Sequence, residues 1–548
     1  MRTASMLSMV GSSRQYQISI MSSLTPPPSE GLLVGNAVGI ISVRHRCRAT
    51  TSSMEPLPEQ LVAEFLSAYR ASQVYLGDRI ARLAQLTNVD DSRVAESATR
   101  TLFAALVEPL ADSFDGEAVS LYNRAFAQVI QICRRNPRAE PIDQELTQHG
   151  LGEEDDLIAR ADRVRKITPL TDSMLSSGKV RRVIILSRVT LGADVAITSV
   201  IIERMKLVFP AADIVVVGGA KAPELFGGDP RIQFCEIGYR RAGTTIERLL
   251  SWIDLLGCIR QQTDGLNPGE YLVVDPDSRL TQLGLLPIDR PSQLHESGYV
   301  FFPSREYGSA TSRSLSELTS SWLDQLFGQN VTTHPRLSLQ DQDIEAARYL
   351  INRIKHESRP IIAINFGVGE NQFKRVGGDF EASLVSCLIQ MGAVIVLDKG
   401  AGADELSRAD AVVAEATRLE LEGRRVRAVE INEQSLVEER RPAGWPDAEI
   451  LVWKGRIGIL AGLIGRSDLY IGYDSAGQHI AAALGVSCID VFAGFSSQRM
   501  LERWRPSGRA EAHIVAVDTL RGGRATQGVL SEVLTCANEM LKTSTGAI

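Results

Sequence analysis

The chain has 548 residues, 44% apolar and 23% charged, with a formal net charge of −7; it exceeds one ordinary core and reads as two or three globular domains. This balance excludes a mainly electrostatic partnership with nucleic acid, which needs a basic face. No apolar run reaches the roughly 18 residues of a membrane span, and the seven cysteines are scattered without a C-x-x-C pair, which fits small hydrophobes in a reducing, cytoplasmic compartment rather than a zinc site.

Residues 1–53 stand apart, with Arg2, Arg14, Arg44, Arg46 and Arg48, a Pro26-Pro27-Pro28 run and a single acid, Glu30. The segment reads as a disordered extension, either a targeting peptide or an upstream stretch ahead of a true start at Met54. From 54 to 135 apolar residues recur at helical spacing: Leu61, Val62, Phe65, Leu66 and Tyr69, then Leu102, Leu106 and Leu110, then Val119, Tyr122, Phe126, Val129 and Ile130. That predicts a bundle of about three to five helices, a candidate surface for a protein partner or a peripheral contact with the inner face of a membrane. Residues 136–179, with Pro137, Pro141, an acidic block at Glu153 to Asp156 and a basic one from Arg160 to Lys166, read as a linker with solvated charges and room for one helix.

Short apolar runs then alternate with amphipathic ones. Strands are predicted at 183–186, 213–217, 233–237, 271–274 and 299–302, with helices at 196–209 and 245–256 between them. After a helix at 341–355 the pattern restarts, with strands at 361–365, 393–397, 469–472 and 487–491 and helices at 381–391, 456–464 and 479–484. Such alternation implies parallel sheets covered on both faces. The fold class is therefore α/β, with two doubly wound Rossmann-like units over 180–335 and 336–548 facing one another across a cleft, preceded by the small helical domain. In open α/β sheets ligands lie beyond the carboxyl ends of the strands, which directs attention to the loops there.

After residues 361–365 comes a loop with Gly367, Gly369, Lys374 and Arg375, where glycines allow close backbone approach and the cations suit a phosphate. After 469–472 come Asp474, Ser475, Ala476 and Gly477, with a helix opening near Gln478 and His479. Amides at the head of that helix and its dipole favour an anion, and Asp474 is suited to accept from turn amides or a ligand hydroxyl. In Gln498 to Arg505, Arg499, Arg503 and Trp504 are candidates to border the cleft, surface helix charges with one buried Trp being the simpler reading.

Asp474 to Ala482, preceded by Gly465 to Gly472, resembles the C-terminal signature of the heptosyltransferase family, glycosyltransferase family 9, of GT-B architecture, with Ala476 intervening before Gly477. The resemblance spans about residues 180 to 545. It implies metal-independent transfer of a sugar from a nucleotide-diphosphate donor to an acceptor hydroxyl on a glycan, glycolipid or other molecule, without a separate cofactor. It further implies that Lys374 with Asp474, Ser475, Gly477 and His479 holds the donor's diphosphate, and that Asp194, in the loop Gly192-Ala193-Asp194, is the general base, an N-cap role for it being the alternative. It suggests that a last helix, 528–542, crosses back onto the first unit. Asp275-Pro276-Asp277 carries the letters of a metal motif but its proline makes a turn the simpler reading. A dinucleotide oxidoreductase is disfavoured because no G-x-G-x-x-G follows 183–186. A catalytically degenerate sugar-nucleotide-binding or protein-interaction module is kept open by the inserted Ala193.

Overall fold

The computed structural model describes residues 18–21, 40–43, 57–167, 169–170, 179–288, 298–354, 359–369, 371–421, 423–436, 447–519 and 526–545. The expected extension 1–53 lies outside these residues except for Ile18–Met21 and Ile40–Val43, which pair antiparallel.

The helical region consists of α1 (Pro58–Ser72), α2 (Gly77–Leu86), α3 (Ser92–Thr101), α4 (Gly116–Cys133), α5 (Glu140–Gln148) and α6 (Glu154–Val164). Local chemistry marks their starts: the Asp91 and Asp115 carboxylates accept from the second and third amides of α3 and α4. The predicted linker is corrected here. Its acidic block opens α6, and Ile142 and Leu146 of α5 with Leu157 and Ala161 of α6 are fully buried. Arg160, read as solvated, is 2% exposed and donates to the Gly284 carbonyl. Charges in a sequence block look solvated, yet two turns of helix put every third or fourth residue on the inner face.

The first sheet contains β1 (Arg182–Leu186), β2 (Asp213–Gly218), β3 (Ile232–Glu236), β4 (Tyr271–Asp275) and β5 (Tyr299–Phe301), all parallel in the order β3-β2-β1-β4-β5. Its helices include α7 (Ser199–Val208), which continues from the turns Leu191–Ala193 and Asp194–Thr198, α8 (Thr245–Thr263) and α9 (Leu315–Phe327). After α10 (Asp341–Ile354) the second sheet uses β6 (Ile361–Asn365), β7 (Val394–Asp398), β8 (Ala428–Ile431), β9 (Ile450–Trp453), β10 (Leu469–Tyr473), β11 (Cys488–Ala493) and β12 (Ala512–Val517). They are parallel in the order β8-β9-β7-β6-β10-β11-β12, so strand order reverses between β6 and β10. Helices α11 (Phe380–Gln390), α12 (Ala403–Ala416), α13 (Ile457–Ile464), α14 (Ala476–Leu484), α15 (Gln498–Trp504) and α16 (Thr526–Thr545) complete this half.

Alternate residues of one strand serve different cores, as the period of two requires. Ile184, Leu186, Val215 and Val217 pack with α1 to α6 and α8, so the bundle is not a free-standing unit but the cover of one sheet face. Val183, Ile185, Ile214 and Val216 face the other way, into a core shared with α10, α13, α14 and the second sheet's Ala363 and Val396. The far face of the second sheet is closed by α11, α12 and α16. The expected return of the last helix to the first unit is therefore overturned: Val529, Val533 and Ala537 of α16 are buried against the second sheet. Against the expectation of small hydrophobic cysteines in a reducing compartment, Cys235 and Cys258 are joined in a disulfide between β3 and α8, with 6.7 Å between Cα atoms. Among the described residues no helix is long and apolar enough to cross a membrane.

Candidate active site

The reversal of strand order between β6 and β10 leaves a crevice at the carboxyl ends of those strands, and the loops following both strands meet there. Lys374, in the short helical turn Gln372–Lys374 after β6, brings its Nζ onto Asp474 Oδ2 and, at 3.4 Å, to the Asp474 carbonyl. The Lys374 side chain is 21% exposed and that of Asp474 6%. Burial opposes the charge on Lys374, but Asp474 outweighs it and holds the ammonium above its ordinary value. Gln478 Nε2 donates to the other Asp474 oxygen at 2.9 Å, so the carboxylate is held from both sides.

The turn above Asp474 is shaped by a residue beneath it. The Tyr470 hydroxyl occupies the space beside Gly472 and Gly477: a Cβ on Gly477 would stand 2.0 Å from it and one on Gly472 2.4 Å. Gly477 is thus required by packing. Ser475 Oγ is buried and turned down toward the Tyr470 hydroxyl. Ser475 itself is extended, and α14 begins at Ala476 without a side-chain cap. His479, 4% exposed, lies 6.0 Å from the Trp504 ring of α15. Burial, with Lys374 assisting and Asp474 opposing, pushes His479 down to about 4, so it is neutral at pH 7 and can donate through one ring nitrogen only.

Gly367 belongs to an adjoining cluster. Its amide donates to Asn365 Oδ1 at 2.7 Å, and a Cβ there would lie 2.9 Å from Glu405 Oε1. Asn365 also binds Asp398, whose carboxyl burial raises to about 6. Arg375, next to Lys374, faces away and pairs with Asp404 at 2.8 Å.

Asp194 comes from the opposite side. Its oxygens accept from Ser187 Oγ at 2.8 Å, Thr198 Oγ1 at 2.9 Å and the Arg188 amide at 3.1 Å. It is 5% exposed, and burial lifts its carboxyl to about 6 against those hydrogen bonds. Rather than capping the amides that follow it, Asp194 reaches back and fixes the turn after β1. That turn meets the second sheet's loop directly, since a Cβ on Gly192 would be 3.2 Å from His479 Cδ2.

Sequence reasoning missed Asp490 on β11. It is fully buried, neither carboxyl oxygen has a hydrogen-bond partner, and burial followed by the nearby Asp474 carries it well above the carboxylate range, with Lys374 opposing. The signal was available: one acid inside an otherwise apolar buried strand. The surface reading of α15 is also corrected. Arg503 is 1% exposed and its guanidinium donates to the Gly308, Thr311 and Arg313 carbonyls, clamping α15 to the loop after β5. Asp275 and Asp277 do form a turn: Asp275 accepts from Ser278 and Thr281, and Asp277 has φ 65 and pairs with Arg305. Among the described residues no three His, Cys, Asp or Glu side chains are grouped to hold a metal.

No family model and no curated protein matches the chain. Among solved structures it is similar to a family 9 glycosyl transferase from Veillonella parvula, at 15% identity and a TM-score of 0.47, covering 66% of this chain and 97% of that one. It is also similar to E. coli ADP-heptose lps heptosyltransferase II, at 15% identity and a TM-score of 0.40, covering 66% and 99%. A third is an E. coli heptosyltransferase with ADP, at 12% identity and a TM-score of 0.43, covering 65% and 99%. At such identities the functional reading rests on the site.

Proposed function

We propose that the chain is a GT-B glycosyltransferase that takes a nucleotide-diphosphate sugar and passes the sugar to an acceptor hydroxyl. The observation that carries this reading is the meeting of Lys374 with Asp474 at the head of α14, in the strand-reversal crevice of the second sheet. Lys374 would exchange Asp474 for the donor's diphosphate, and the first amides of α14 would add their donors and dipole. As the bond to the anomeric carbon breaks, the same groups carry the charge that develops on the leaving diphosphate. His479, neutral, would contribute a single ring donor. The structures similar to this chain include one with ADP and one named for ADP-heptose, which fits a nucleotide-sugar donor of this class.

Asp194 is assigned the base that takes the acceptor's proton. A carboxyl lifted to about 6 is better matched to that task than an ordinary one. Its own segment already fills three of its roughly four acceptor sites, so an acceptor hydroxyl must be brought to the buried remainder on Oδ2. That requirement favours a second reading, a sugar-nucleotide-binding module without transfer, in which Asp194 only fixes the loop.

Calorimetric titration with ADP, GDP, UDP and CDP separates the donor site from no site: one diphosphate binds the wild type, and binding falls at least about tenfold in Lys374→Ala. Failure of all four to bind would sink both readings. Donor turnover in the wild type that is abolished in Asp194→Asn, with diphosphate affinity kept, selects the enzyme over the binding module.

A further inference from the structure

The turn after β1 carries a strained residue. Val189 has a φ of 63, a left-handed value that a β-branched side chain adopts only when its surroundings hold it there. Two hydrogen bonds do so: its amide donates to Ser187 Oγ at 2.9 Å, and its carbonyl accepts from Arg241 Nη2, on the loop before α8, at 3.0 Å. Ser187 is itself fixed. It is fully buried, its amide donates to the Val217 carbonyl at 2.8 Å, its carbonyl accepts from Ser278 Oγ at 2.6 Å, and a Cβ on Gly218 would stand 2.6 Å from the Ser187 Cβ.

A serine hydroxyl has one proton to give and two lone pairs that can accept. The Val189 amide fills one lone pair, and the proton goes to Asp194 Oδ2 at 2.8 Å. The other carboxyl oxygen is saturated, since Oδ1 accepts from the Arg188 amide at 3.1 Å and from Thr198 Oγ1 at 2.9 Å. Oδ2 therefore keeps one acceptor site, beside the Ser187 bond. The charged and titratable side chains about this turn do not occupy it. Arg188 turns its guanidinium to Ser304 and Arg241 turns its own to Val189, while His479 of α14, which meets the turn at Gly192, is neutral at pH 7.

We propose that Ser187 is a positioning residue for the transfer: the strained turn at Val189 commits its hydroxyl to Asp194, so that a single acceptor site, on Oδ2, is left for the proton of the acceptor hydroxyl. That proton passes to Oδ2 as the acceptor oxygen bonds the anomeric carbon, and the bond from that carbon to the diphosphate oxygen breaks with its electron pair leaving on the diphosphate. This rests on the reading of Asp194 as the base. Burial lifts the Asp194 carboxyl to about 6 against the Ser187, Thr198 and Arg188 hydrogen bonds, so loss of Ser187 lifts it further.

The test uses the full chain and two measurements on wild type and Ser187→Ala, with melting curves to show that the variant is folded. The first is hydrolysis of ADP-, GDP-, UDP- and CDP-sugars, read as released nucleoside diphosphate. For the donor that the wild type cleaves, Ser187→Ala should lose about tenfold in kcat with KM kept, and the acid limb of its kcat profile should move up by about one pH unit. A lower kcat with the limb unmoved would make Ser187 merely structural and overturn the proposal. The second is a double-mutant cycle of Ser187→Ala with Asp194→Asn in urea unfolding, which needs no substrate. Coupling at pH 8 that shrinks at pH 4, where the carboxyl is protonated, supports a bond to the ionised base; equal coupling at both overturns it. Clear coupling with no donor cleaved by the wild type overturns the enzyme reading and the role of Ser187 in transfer together, leaving a tether of the loop.

Discussion

The loops after β1 and after β10 meet face to face, yet they manage buried charge in opposite ways. After β10, Asp474 is held by groups that can exchange it: a lysine from another loop and a glutamine one turn on. After β1, Asp194 is held by its own segment, through Ser187, the Arg188 amide and Thr198. The contrast teaches which side is built to give way. An ion pair between separate loops can be traded for a ligand, whereas three hydrogen bonds from within seven residues on one side and four on the other define the loop itself.

The sharpest way to break this contrast is Lys374→Ala, which leaves Asp474 beside Asp490 without its cation. A severed buried pair costs about 3 kcal/mol or more, read as a lower midpoint in urea unfolding. Replacing both partners, Lys374→Met with Asp474→Leu, should recover most of that loss. Should Lys374→Ala prove neutral, Asp474 is not dependent on the lysine and the exchange picture falls.

Next in size is Gly477→Ala, whose Cβ falls on the Tyr470 hydroxyl. Overpacking of this kind costs about 2–3 kcal/mol, and Tyr470→Phe in the same chain should recover part of it, a coupling that a double-mutant cycle measures. Strict additivity would show that the glycine serves the ligand rather than the tyrosine.

The pH responses of the two loops should carry opposite signs. His479 sits near 4 in the folded chain and about 6.5 unfolded, so between those values the unfolded chain binds the extra proton and stability falls as pH falls. From pH 7 to 5 that loss is roughly 2 kcal/mol, and His479→Gln should lack it. Asp194, near 6 folded, contributes stability that is fully present below the unfolded value and is lost as pH rises through 6. Asp194→Asn should therefore be more destabilising at pH 4 than at pH 7. The smallest effect is its cost at pH 7, about 1–2 kcal/mol for the acceptor capacity an amide lacks. Like signs in the two variants would overturn the assignment of these environments.

The central strands were legible because strands buried on both faces are nearly continuous apolar runs, as in Val183 to Leu186 and Ile361 to Ile364. Strands β8 and β12 were missed because they are half-exposed edges with mixed patterns, whereas β9, Ile450 to Trp453, is as continuous an apolar run as Val183 to Leu186 and was legible but not read. Lys374, Asp474 and His479 could be singled out because they follow strands that turn into helices. Asp490 left its signal, a lone acid in an apolar strand, but the part Tyr470 plays beneath Gly472 and Gly477 could not be assigned, since it depends on how the turn after the strand folds back over it.

What the sequence determined by itself is local: helix starts at Asp91, Asp115, Thr244 and Ser314, where short polar side chains satisfy free amides, and strands where apolar residues cannot remain in water. Only the tertiary structure decided which face covers which. It laid the helices of residues 58–164 on the first sheet, kept α16 on the second, joined Cys235 to Cys258 and carried Phe114 across to Trp504. An amphipathic stripe states that a face must be buried; it does not name the partner, because the hydrophobic effect has no direction.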